Sequence, residues 1–241
     1  MFKFITSGDI VLNVLFAVGI LQLAWFSVML VRRDVTPSAI QHAMLPLLTI
    51  WVLMWPVYRD SRSLWVGLME LLLPSVLAVT LSSPFWRHLR LAWTAKSSDT
   101  DLKIYQGIQL PPLIHPVLAF FIAIVWFRSI PEFGFGLALC LCLAFPAAYW
   151  IDRPGQHMPR FLRLGFPAHP EQTLAGHLAL IIISIVLLCW ALHIYHGTNW
   201  QVLFIATLIT GLTASATRAL IPGQWNAPAA MLSMGFVMWV L

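Results

Sequence analysis

The segment Leu178–Leu192 reads LALIIISIVLLCWAL, fifteen residues without a formal charge. A run of that kind has few places to go. In water its flanks would need a large surrounding core. In a bilayer it needs only to satisfy its own backbone hydrogen bonds, and an α-helix does that within the segment. Similar continuous runs recur along the chain, so a β-barrel, with its short alternating segments, is excluded. Composition agrees: 60% of the 241 residues are hydrophobic and 10% are charged, against about 25% charged in an ordinary soluble domain. The expected fold class is all-α, a polytopic transmembrane helical bundle.

About eight spans are expected, over 10–31, 41–58, 64–82, 112–128, 133–151, 177–196, 200–217 and 226–241. The stretch LPLLTIWVLMWPVY (Leu45–Tyr58) is expected to tilt or to lie partly at the interface. The longest connections fall over 83–111 and 152–176. The first span runs into VRRD (Val31–Asp34) rather than a small-residue cleavage site, so it is expected to stay in the membrane. No internal repeat is seen. Residues 1–241 read as a single integral membrane domain.

The basic residues orient it. Arg32, Arg33, Arg87, Arg90, Lys96, Lys103, Arg153, Arg160, Arg163 and Arg218 fall on one side, and Lys3, Arg59, Arg62 and Arg128 on the other. By the positive-inside rule the first set is cytoplasmic and both termini face outward. This expectation suits a bacterial inner membrane. A net charge of +5 distributed in this way points to membrane topology and anionic headgroups, not to nucleic acid.

Three segments carry candidate chemistry: IDRPGQHMPR (Ile151–Arg160), QTLAGH (Gln172–His177) and RALIPGQWNAPA (Arg218–Ala229). In order, and in internal spacing for the first two, they resemble three elements of the membrane CTP-dependent polyprenol, dolichol and phytol kinases, with phosphatidate cytidylyltransferases as more distant kin. Those elements are G-D-G-x-A-D-x-x-G-R, K-[ST]-x-E-G-[ST] and E-x-x-x-P-x-x-x-D-N-x-x-x-P. The resemblance covers the C-terminal half, taken as 96–241, and leaves three N-terminal spans (1–95) outside it. It aligns Asp152 with the first aspartate and Arg160 with the closing arginine. Thr173 and Gly176 align with the second element, and Pro222, Asn226 and Pro228 with the third.

The departures are mostly acids. Gln156 replaces the second aspartate, and Ile151 and Arg153 replace glycines. Ala175 and Gln172 stand for a glutamate and a lysine. Arg218 and Trp225 stand for a glutamate and an aspartate. An upstream basic element keeps only Lys103 in LKIYQ. Phosphoryl transfer from a nucleotide needs Mg²⁺ held by carboxylates, and Asp152 alone is a poor metal site. An arginine binds phosphate but cannot hold the cation.

The resemblance therefore implies a lipid-kinase-like fold whose metal centre is lost. The chain would then be a pseudoenzyme, a lipid-binding or scaffold subunit of a membrane complex, with membrane lipid and a protein as its partners. Arg153, Arg160, Arg163 and Arg218 would contact anions, with Thr173, Gly176 and Asn226 lining the same site, and no cofactor would be needed. The alternative is an active CTP-dependent transferase acting on a lipid alcohol or on phosphatidate. Mg²⁺ and CTP would be its cofactors, and Asp152 its metal-binding and catalytic residue.

Other features read more simply. Cys140, Cys142 and Cys189 lie in apolar runs and serve as small hydrophobes. His177, His193 and His196, with His42 and His115, lack any haem or zinc motif. Glu70, in LWVGLMELLLPS (Leu64–Ser75), is the one clear intramembrane acid. It is the thread by which a third reading hangs, that of a small transporter or redox membrane subunit. Gly211, Ala214, Ser215 and Ala216 are small enough to let helices approach closely.

Overall fold

The computed structural model describes residues 7–93, 113–153, 172–197, 199–221 and 225–241. Every regular element among them is a helix. Six are long and apolar enough to cross a membrane: Ser7–Val31, Pro37–Val57, Arg62–Thr80, Pro131–Asp152, Leu174–Tyr195 and Leu203–Leu220. Two further apolar helices, Ile114–Ser129 and Asn226–Val240, coincide with expected spans but have only 16 and 15 residues. A helix rises 1.5 Å per residue, so each is several residues short of a hydrocarbon core about 30 Å thick. The chain divides into two units, Met1–Val117 and Leu118–Leu241.

In the first unit, α1 (Ser7–Val31) exposes Ile10, Val14, Leu15, Leu21 and Trp25 and buries Asp9, Asn13, Ile20, Ala24 and Ser27. Such a surface suits lipid contact outside and a polar-edged seam inside. The next span is interrupted. Pro46 cannot donate a backbone hydrogen bond, and α2 (Pro37–Leu47) gives way at Leu48 to α3 (Thr49–Leu53) and then to a single tight turn, Trp55–Val57. Leu45–Tyr58 is therefore a broken helix.

Next comes α4 (Arg62–Thr80). Asp9 of α1 accepts from Ser63 Oγ at 3.1 Å, and Tyr58 donates to Asn13 at 2.8 Å. These contacts put the starts of α1 and α4 at the same end, so α1 and α4 run parallel and α2–α3 runs back between their ends.

The connection expected over 83–111 opens with another helix, α5 (Pro84–Trp93). Proline at its first position and the spacing of Leu89, Ala92 and Trp93 explain it. Those three are buried, while Arg87 and Leu91 face outward. Trp93 Nε1 donates to Ser27 Oγ at 3.1 Å, and Gln41 donates to the Trp93 carbonyl.

The second unit takes up α6 (Ile114–Ser129) from Leu118 onward, and α6 leads into α7 (Pro131–Leu139), a wider turn at Cys140–Ala144, and α8 (Phe145–Asp152). The Phe145 amide bonds to the Cys140 carbonyl, five residues back. Pro146 follows and has no N–H to give, which fits a π-type expansion just before it. Helix α9 (Leu174–His196) packs against α7, the wide turn, α8 and α10 (Trp200–Leu220), and α10 packs against α11 (Asn226–Val240). Cys140, Cys142 and Cys189 are buried free thiols.

Candidate functional site

Helix α8 ends at Asp152, whose side chain is buried. Twenty-one residues later Thr173 caps the start of α9. Its backbone is extended, and its hydroxyl accepts from the Gly176 amide at 3.1 Å, the usual service of a threonine N-cap. Thr173 also donates twice to Asp152 Oδ1, from its amide at 2.9 Å and its hydroxyl at 2.7 Å. Arg218, in the last turn of α10, donates to Asp152 Oδ2 and forms a buried ion pair. A cation also suits that position because helix C-termini carry partial negative charge.

A second strand of contacts closes the cluster. Gln172 Nε2 donates to the Arg218 carbonyl at 3.1 Å, one of the acceptors that a helix end leaves over. The His177 ring lies 3.2 Å from Gln172 Oε1 through Nε2 and 2.8 Å from Ser215 Oγ through Nδ1. The end of α8, the start of α9 and the end of α10 are tied together by polar side chains on all three.

Gly176 lets this happen. A Cβ there would fall on the Asp152 carboxylate, so the carboxylate approaches the first turn of α9 only because no side chain intervenes.

Of the residues singled out from sequence, Asp152, Thr173, Gly176 and Arg218 come together here. Arg153 does not join them. It is exposed, with its guanidinium 5.4 Å from the centre of the Trp150 ring. Asn226 opens α11, and no hydrogen bond joins it to the cluster among the described residues. Arg160 and Arg163 lie outside the described residues. Gln172, His177 and Ser215 were not expected as members. The available signal was their position at helix ends, where a buried polar side chain can answer a free backbone group.

The cluster's chemistry follows from its bonding. Both Asp152 oxygens already accept hydrogen bonds, and the nearest charge is a guanidinium. A magnesium ion needs about six oxygen ligands and tolerates no cation at contact. The residues described here do not fit that ion, and no group of three His, Cys, Asp or Glu among the described residues is arranged to hold a metal. Arg218 keeps one donor over: Nη1 is buried and has no hydrogen-bond partner among the described residues.

The cap is worth testing by itself. Thr173→Val removes the acceptor for Gly176 and one donor to Asp152. The expected loss is about 1–2 kcal/mol in thermal or denaturant unfolding in mild detergent. A variant as stable as the parent would mean that the cap carries no weight. No family model, curated protein or solved structure matches this chain, so the reading of the cluster rests on its own geometry.

Proposed function

We propose that this chain is a non-catalytic lipid-binding or scaffold subunit of a membrane complex, built on a degenerate CTP-dependent lipid-kinase-like or cytidylyltransferase-like fold. The observation that carries the reading is the state of Asp152. The acid that would have to hold Mg²⁺ is neutralised by Arg218 and saturated by Thr173. A pinned carboxylate of this kind fixes three helix ends, and the leftover Arg218 Nη1 suits an anionic oxygen such as a headgroup phosphate.

The proposed topology has eight passes, with both termini outward and the basic loops in the cytoplasm of a bacterial inner membrane. Charge within the first unit supports the sidedness. Arg32 and Arg33 follow α1, and α4 leads to Arg87 and Arg90, all at one end. The other end mixes Asp9 and Asp60 with Arg59 and Arg62.

The test is CTP binding to the purified protein in nanodiscs, with and without Mg²⁺, beside a mild-detergent purification from the same membranes. The expected result is no saturable Mg²⁺-dependent binding, together with stoichiometric lipid or protein retained on the chain. Saturable Mg²⁺-dependent binding that Asp152→Asn abolishes would overturn the reading and favour an active transferase.

A further inference from the structure

The first unit holds a polar path that the second unit's cluster does not explain. At the α4 start, Asp9 Oδ1 accepts from the Arg59 amide at 3.2 Å. Its Oδ2 accepts from the Asp60 amide at 3.2 Å and from Ser63 Oγ at 3.1 Å. Asn13 donates to the Ser63 carbonyl at 3.3 Å and accepts from the Tyr58 hydroxyl at 2.8 Å. Burial pushes the Tyr58 phenol up to about 12, so it remains a donor. The hydrogen-bonded series Asp9, Ser63, Asn13, Tyr58 therefore reaches one full helical turn below the end of the unit.

Glu70 lies beyond it. It follows Ser63 and Gly67 on one face of α4, at spacings of four and three. Its depth is roughly 12 Å from Arg62 along the helix, near the middle of a hydrocarbon slab. Glu70 Oε2 is buried without a hydrogen-bond partner and makes no ion pair among the described residues.

Two hydroxyls in the same unit share that condition, Thr49 Oγ1 and Ser75 Oγ. Trp51 packs directly on Gly67. Because α3 and α4 run in opposite directions, Thr49 stands near the level of Glu70. These oxygens do not bond to one another, so they do not converge as the ligand shell of a metal ion would.

We propose that Glu70 is an intramembrane proton-binding site, loaded and unloaded from the Asp9–Tyr58 end of the first unit. The step is simple: hydronium gives its proton to the carboxylate, leaving water and a neutral carboxylic acid, and the reverse step returns it. A neutral acid removes an unpaired charge from the apolar slab, where such charges are costly. The other ionisable groups of the unit stand toward its two ends. Asp9, Tyr58, Arg59, Asp60 and Arg62 stand at the Ser63 end, where the Tyr58 phenol feels the Glu70 charge. Arg32, Arg33 and Asp34 after α1, His42 of α2, and Arg87, His88 and Arg90 of α5 stand toward the Thr80 end.

The experiment uses the intact wild-type chain in nanodiscs and the apolar reagent dicyclohexylcarbodiimide, which modifies carboxylic acids but not carboxylates. Modified positions are read by peptide mass spectrometry across pH. Glu70 is expected to be modified by this reagent and spared by a water-soluble carbodiimide. Its labelling should fall about tenfold for each pH unit above the titration midpoint. Infrared spectra recorded as pH differences should contain a protonated-carboxyl C=O band that Glu70→Gln removes. Glu70 unlabelled at every pH while exposed acids react, labelling that ignores pH, or spectra identical in the variant would each overturn the proposal.

Discussion

Arg218→Leu is expected to destabilise the second unit by about 3–5 kcal/mol, the usual consequence of stripping one partner from a buried ion pair. Asp152 is left with its two bonds from Thr173 and no countercharge among the described residues, in a site where little of it reaches solvent. Leucine roughly conserves the apolar part of the arginine, so the loss reports on charge more than on a cavity. The pair itself need not be stabilising, because its desolvation offsets much of the attraction. Asp152→Asn combined with Arg218→Leu should therefore recover most of the loss. A double-mutant cycle on unfolding in mild detergent separates the two statements. A single-variant loss below about 1 kcal/mol would mean that the carboxylate finds water or another donor, and the cluster would no longer count as a pinned one.

The parts of the fold that sequence reveals are those governed by local physics. Continuous apolar runs demand helices, and each expected span lands on helix among the described residues. The prolines are visible too, but their consequences are not. Pro46 breaks its helix at Leu48, while Pro146 leaves its helix continuous and widens the turn before it. The start of α5 lay inside an expected connection because its ten residues are too few and too polar to register as a span.

The cluster is legible in its members and not in its meaning. Asp152, Thr173, Gly176 and Arg218 were each singled out within their own segments. That Arg218 would neutralise Asp152 leaves no local trace, since 66 residues separate them. An arginine in place of an acid reads from sequence as the loss of a metal ligand. In the fold the same arginine supplies the charge that the remaining acid needs. Gln172 likewise reads as a missing lysine, yet it answers a free carbonyl at the end of α10 and the His177 ring.

Gly176→Ala is the sharpest test of how firmly Asp152 is held, because two effects predict opposite signs. Helix propensity alone favours alanine over glycine by about 1 kcal/mol in a helix interior. Packing opposes it, since the new Cβ would overlap the Asp152 carboxyl group. That carboxyl cannot simply retreat. Thr173 holds one oxygen by two bonds and Arg218 holds the other. The expected net loss is about 2–4 kcal/mol, the sum of overpacking and disturbed polar contacts less the propensity gain. Gly19→Ala is the internal control. It lies in α1, and a Cβ there meets nothing within 4 Å, so propensity should act alone and leave the protein unchanged or up to about 1 kcal/mol more stable. If Gly176→Ala behaved like Gly19→Ala in unfolding measurements, the carboxylate would be free to swing away from its partners. An acid that can move is an acid that can still reach a cation, and the non-catalytic reading would lose the observation on which it stands.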